Sequence, residues 1–204
     1  MLDPLMRRLV DPPLDAIARV VARGGVSANQ LTLAGLAVGL VSVPLLASGR
    51  FLEALAIILI NRLLDGLDGA VARVRGATGF GGYLDIVCDM VFYAAVPVGF
   101  ALYSPANGLW ATLLLASFIC TGATFLGRAV LAAQRGEAPN SQRGQKSFFH
   151  SAGLMEGTET ILAFGLFCLF PTAFPVLAGV VAGLCFWTAA ARVLDARVAS
   201  RSPH

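Results

Sequence analysis

The chain has 204 residues, 57% of them hydrophobic and 13% charged, with a formal net charge of +3. Soluble domains carry about 45–50% apolar and about 25% charged residues, so this composition excludes an ordinary water-soluble globular fold. The small positive charge comes without a basic patch interleaved with aromatics, which argues against a nucleic-acid partner.

In chain order, residues 11–23 read first as a short amphipathic helix. Asp11 suits its N-terminal cap and Pro12 its first position. Leu14, Ile17 and Val21 share one face, while Asp15, Arg19 and Arg23 recur at i, i+4 on another. Such a helix lies in the membrane interface with its arginines towards anionic headgroups. Across the first 25 residues, Pro12-Pro13 and four arginines leave no continuous apolar h-region, so the N-terminus is not read as a signal peptide. Gly24-Gly25 then ends the helix.

Six apolar runs follow, at 31–49, 51–73, 83–104, 109–133, 152–170 and 174–194. Each approaches the roughly 20 residues needed for a helical span. The expected fold is all-α and polytopic: six transmembrane helices preceded by the interfacial helix. Residues 1–29 form a cytoplasmic N-terminal segment, 30–195 the membrane domain and 196–204 a cytoplasmic tail. Of the 15 Lys and Arg residues, only Arg50 falls on the far side of this layout. Basic residues near span ends stay cytoplasmic, which places both termini and the acidic region described below on that side, in the inner membrane if the cell is bacterial.

Within the runs, Gly35-x-x-x-Gly39 and Gly179-x-x-x-Gly183 have the spacing that permits close helix contact. Pro44 and Pro97 are expected to kink their helices. Cys88, Cys120, Cys168 and Cys185 are scattered singly, without metal-type or disulfide-type spacing. His150 and His204 are too few for a His-rich transition-metal site.

The chemistry is concentrated in DGLDGAVARVRGATGFGGYLDIVCD, residues 65–89. Asp65 and Asp68 stand i, i+3 at the end of the second run; Asp85 and Asp89 stand i, i+4 at the start of the third. Each pair projects from one helical face. The short glycine-rich connection makes the two helices antiparallel neighbours, so the pairs converge at one depth. Four carboxylates near one point repel one another, and burying them at the membrane is costly. Arg62 and Arg73 offset part of the charge. Oxygen-rich, carboxylate-dominated sites favour hard divalent cations, and four carboxylates suit a pair of ions clamping the oxygens of a phosphoryl displacement. Gly66 and Gly69 allow a ligand or a second backbone to approach closely. Arg73 is placed to meet a diphosphate in a bidentate fashion.

Asp65-x-x-Asp68-Gly69-x-x-Ala72-Arg73 followed by Gly81-x-x-x-Asp85-x-x-x-Asp89 resembles the signature of the CDP-alcohol phosphotransferase family. Seven residues separate Arg73 from Gly81 where eight are usual, which shortens the turn. Ser27-x-Asn29-x-Leu31-Thr32 before the first span is also similar. The resemblance implies a six-helix, homodimeric membrane enzyme with a cavity open to the cytoplasm and two Mg2+ or Mn2+ ions per active site. By the same resemblance, Asp65, Asp68 and Asp85 are metal ligands. Asp89 contributes to the second ion and acts as general base on the acceptor hydroxyl. Gly69, Ala72, Arg73 and Gly81, with Asp68, contact the CDP group. The reaction implied is transfer of a substituted phosphate, such as phosphatidyl from CDP-diacylglycerol, to an alcohol with CMP leaving, in phospholipid biosynthesis.

The acceptor is open among glycerol 3-phosphate, inositol phosphate, serine and choline-type alcohols. Glu156 and Glu159 lie within the fifth run, where acids are functional candidates; they could bind acceptor hydroxyls or pair with Arg128 or Arg192. Lys146 and Arg143, in the polar segment 135–150, could meet a phosphorylated acceptor. Two rival classes are a secondary transporter or ion carrier, which would hold carboxylates near the midplane of repeated halves, and a non-catalytic lipid-binding protein.

Overall fold

The computed structural model describes residues 3–134 and 155–199, with side chains described for 12–134 and 155–197. Among these the fold is all-helical: α1 (Asp3–Arg23), α2 (Ala28–Leu40), α3 (Ser42–Ala47), α4 (Phe51–Arg75), α5 (Gly79–Tyr103), α6 (Gly108–Gln134), α7 (Gly157–Leu169) and α8 (Phe174–Ala199). Short 3-10 turns at Pro105–Asn107 and Pro171–Ala173 lead into α6 and α8.

The segments Ala28–Ala47, Gly79–Tyr103, Pro105–Gln134 and Pro171–Arg197 are long and apolar enough to cross a membrane. Of the other two runs, α7 is apolar with 13 residues, and the 25-residue α4 is long enough but carries the first acidic pair. The six apolar runs thus become six helical stretches, four of which meet the length and composition required of a span.

The N-terminal helix differs from its expected form. It begins at Asp3, so Pro12 and Pro13 lie inside it and not at its first turn. Interior prolines each remove an N–H donor and crowd the preceding turn, so this helix carries a local cost in its first half. Its buried face also shifts: Leu14 and Ala18 pack on Ala70 and Val71 of α4, with Val21 partly covered, whereas Ile17 is 50% and Val20 68% exposed. That leaves an apolar flank beside Arg19 and Arg23.

Of the two prolines expected to kink, Pro44 has the clear effect. Without an N–H it cannot bond the carbonyl of Leu40, and the helix breaks at Val41, whose N–H reaches back to Val38. Pro97 sits inside α5 without dividing it. The α2–α3 pair wedges against both α4 and α5, and α6 packs along α8. Packing in lipid relies on close van der Waals fit. The slots are visible: a Cβ on Gly39 would lie 2.7 Å from the Phe92 ring and 2.8 Å from Asn61, and one on Gly179 would lie 2.8 Å from Trp110. Below the acidic region an aromatic core joins α5, α7 and α8, with Phe100 stacked on Phe174 at 4.4 Å and edge-on to Phe167 at 6.0 Å.

Gly39→Ala should therefore force apart a buried slot at a cost of about 1–3 kcal/mol, while Gly183→Ala, with no atom within 4 Å of the added carbon, should be neutral. Thermal unfolding of the two detergent-solubilised variants would compare them directly; equal melting temperatures would contradict the slot.

Candidate active site

The site starts from a turn. Gly76 ends α4 with φ +98°, a conformation that favours glycine, and its N–H caps the Ala72 carbonyl. Thr78 then caps α5 by accepting from the Gly81 N–H at 3.0 Å. Only residues 76–78 separate the helices, so the short spacing between Arg73 and Gly81 is accommodated in this tight reversal. Arg75 ties the end of α4 to the α1–α2 link by donating to the carbonyls of Gly25 and Val26. At the head of α2, Ser27 and Gln30 form a reciprocal capping box.

Beyond the turn, α4 and α5 do not pack closely as neighbours. Each packs instead on α2–α3, and the space between them holds the carboxylates. One oxygen from each of Asp65, Asp68 and Asp85 lies within 4.8 Å of the others. Asp68 is the most buried, 5% exposed, and Thr32 of α2 donates its hydroxyl to Oδ2 at 2.6 Å. Asp89 is outside this close group. Its Oδ1 pairs with Arg62 Nη2 at 2.9 Å, and Arg62 Nη1 is 3.6 Å from Asp65. Behind Arg62, Asn61 donates to the Gly35 carbonyl at 2.8 Å and accepts from Arg62 Nε at 2.8 Å.

Three carboxylate oxygens at this separation are hard donors of the kind that bind Mg2+ or Mn2+. The donor set fits a divalent ion.

Two cavities meet at this group. One, of about 410 Å3, is bordered by Asn29, Thr32, Ala72 and Gly81 beside the α4–α5 turn. The other, of about 820 Å3, runs along α1, α4, α5 and α7 past Leu59, Leu63, Arg73 and Leu162. Asp68, Gly69 and Asp85 border both. The sequence-derived CDP contacts Asp68, Gly69, Ala72 and Gly81 are thus brought to the smaller cavity, whereas Arg73 borders the larger one and pairs with Asp15 of α1 at 3.0 Å. Gly66 meets α1 as well, since a Cβ there would lie 2.8 Å from Leu14.

The acceptor candidates are distributed differently. Glu156 is the N-cap of α7 and Glu159 lies in its first turn, but Gly157, Thr158, Ile161 and Leu162 are the α7 residues that border the large cavity. Arg192 of α8, one of the two arginines considered as their partner, donates to the Thr121 carbonyl at 3.3 Å and lies 6.0 Å from the Phe125 ring centre. Lys146 and Arg143 lie outside the described residues. Sequence reading gave no site role to Thr32, Asn61 or Asp15. Two signals were available: Thr32 in the Ser27-x-Asn29-x-Leu31-Thr32 stretch, and Asn61-Arg62, a polar pair one turn before Asp65 within an otherwise apolar run.

Comparison with known proteins adds the following. The CDP-alcohol phosphatidyltransferase family profile matches residues 25–194. Inner membrane protein YnjF of Escherichia coli is 47% identical over 194 residues, covering 95% of this chain and 94% of that protein. Archaetidylinositol phosphate synthase of Pyrococcus horikoshii is 37% identical over 103 residues, about half of each chain at 48% and 52%. The crystal structure of Mycobacterium tuberculosis phosphatidylinositol phosphate synthase with CDP-DAG bound superposes with a TM-score of 0.64 at 24% identity, covering 88% of this chain and 91% of that one. A further structure of that synthase contains manganese and citrate.

Thr32→Val removes the donor to a buried carboxylate, an expected loss of about 1.5–3 kcal/mol. At roughly 2–4 °C per kcal/mol for a chain of this size, its melting temperature should fall by several degrees. Thr32→Ser, which keeps the hydroxyl, should stay near the parent; similar losses in both would show that the methyl group matters and the hydrogen bond does not.

Proposed function

Because the chain belongs to the CDP-alcohol phosphatidyltransferase family, we propose that its carboxylate cluster supports transfer of a phosphatidyl group from CDP-diacylglycerol to a phosphorylated polyol, with CMP leaving. The observation that carries this reading is the junction of two cavities at Asp68 and Asp85, whose oxygens lie within 4.8 Å of each other and of an Asp65 oxygen.

Asp65, Asp68 and Asp85 would hold the divalent ions, Mg2+ or Mn2+ and two in number, with Asp89 contributing to the second. Bound there, the ions would neutralise charge on the transferring phosphate and on departing CMP. Gly69, Ala72 and Gly81 present little side-chain bulk to the smaller cavity, which suits the cytidine end of the donor. Arg73 would turn from Asp15 to the diphosphate, a better bidentate partner. The acyl chains fit along Leu59, Leu63 and Leu162. Asp89 accepts the proton of the acceptor hydroxyl. The acceptor oxygen forms a bond to the phosphorus bearing diacylglycerol while the bond to CMP breaks in line, and CMP takes the electron pair. A phosphorylated polyol such as inositol phosphate is favoured because P. horikoshii and M. tuberculosis relatives are inositol phosphate lipid synthases. Lys146 is the candidate contact for its phosphate, with Glu156 and Glu159 as candidates for its hydroxyls.

We place both termini and the site on the cytoplasmic face of a six-span protein, in the inner membrane if bacterial, with α1 in the interface. The single-sided distribution of Lys and Arg and the exposed Ile17–Val20 flank of α1 support this. A homodimer is the proposed assembly, and the division at 1–29, 30–195 and 196–204 is retained.

Purified protein with CDP-diacylglycerol should release CMP when given inositol 1-phosphate and Mg2+ or Mn2+. Release should cease with a chelator and be much slower with glycerol 3-phosphate, serine or choline; the same rate with every alcohol would refute the acceptor class. Asp89→Asn should reduce kcat by about 10²–10⁴-fold, the range for a general base, with donor affinity largely kept. Turnover near the parent rate would remove Asp89 from that role.

A further inference from the structure

Arg62 has no part in the reaction as described, yet it is the best-held cation at the cluster. Its side chain is only 15% exposed. The guanidinium carbon lies 4.6 Å from the Phe92 ring centre and 5.4 Å from that of Tyr93, and Nη1 reaches the Tyr93 hydroxyl at 3.5 Å. Nε donates to Asn61, whose own amide is oriented by the Gly35 carbonyl. A weakly hydrated, planar cation suits this aromatic, half-dry position, and lysine would not reproduce its fork. The two terminal nitrogens address different carboxylates, Nη2 on Asp89 at 2.9 Å and Nη1 towards Asp65 at 3.6 Å. The guanidinium therefore bridges Asp89 and Asp65, at one edge of the three-carboxylate group.

We propose that Arg62 is a positioning residue, a built-in counter-cation that holds Asp89 beside the reacting atoms and competes with the second divalent ion for Asp65 and Asp89. The proposal rests on the reading that the cluster binds divalent ions. It makes the two ion positions unequal. The first ion meets three carboxylates already gathered. The second must draw Asp89 and Asp65 from a fixed positive charge.

The test is titration of the purified protein with Mn2+, following free Mn2+ by electron paramagnetic resonance. The unaltered protein should show one tight and one weaker class of site. Arg62→Gln should tighten the weaker class by about tenfold, since one unit of opposing charge is removed at close range. Arg62→Lys, which keeps the charge, should stay within about threefold of the parent. In turnover assays Arg62→Gln should lose kcat while donor KM changes little, because Asp89 is no longer held. Two equal classes in the unaltered protein would overturn the proposal, and that measurement stands even where a variant fails to fold. Mn2+ binding by the parent with none tighter in folded Arg62→Gln would overturn the role of Arg62 alone. No Mn2+ binding by the parent would overturn this role together with the metal reading on which it rests.

Discussion

Bringing like charges together inside a helical membrane protein is the constraint to which the rest of the structure responds. Two carboxylates about 5 Å apart repel by roughly 3 kcal/mol at an effective dielectric constant of about 20, and the close group alone contains three such pairs. The protein limits this cost locally. Thr32 hydrogen-bonds the most buried member, Asp68, and Arg62 takes up Asp89 on the opposite side. Arg62 also lies 3.6 Å from Asp65, so the charge of the Asp65–Asp68–Asp85 group is only partly offset where it faces the cavities. A stability-optimised interior would not keep such a group; a site for cationic and phosphorylated ligands needs it.

The scaffold is shaped to hold that arrangement open. Direct packing of α4 on α5 would close the gap, and the α2–α3 wedge prevents it by seating Asn61 and Phe92 in the slots of Gly35 and Gly39. The same asparagine then orients Arg62, so the helix packing and the electrostatics share one side chain. On the other flank, α1 lies over Gly66 and pairs Asp15 with Arg73. Helix α1 thus forms part of the wall of the larger cavity. Membership of the family decides between enzyme, carrier and passive lipid-binding protein in favour of the enzyme.

Much of this was legible in residue order. Apolar runs separated by glycine and basic residues define the helices, and the i, i+3 and i, i+4 aspartates define the acidic faces. The short turn makes α4 and α5 antiparallel neighbours, but it fixes only their ends; the wedge that holds them apart comes from α2–α3 earlier in the chain. The start of α1 was misplaced because Pro12 suits a first turn and is also tolerated within this helix. The division of the four aspartates into a group of three and an Arg62-bound fourth depends on side-chain reach, which spacing does not encode. Asp15 and Arg73 are 58 positions apart, and no local pattern links them. Glu156 stands out in the sequence as unusual, but its place as the cap of α7, outside the lining of the large cavity, depends on how the helices assemble.

Anomalous diffraction from crystals grown with Mn2+ and a non-reacting CDP-diacylglycerol analogue bears most directly on the central claim. The expected map has a manganese peak within bonding distance of Asp65, Asp68 and Asp85, with the diphosphate on its open side. A peak elsewhere, or a bound donor whose diphosphate lies away from those three carboxylates, would contradict the account.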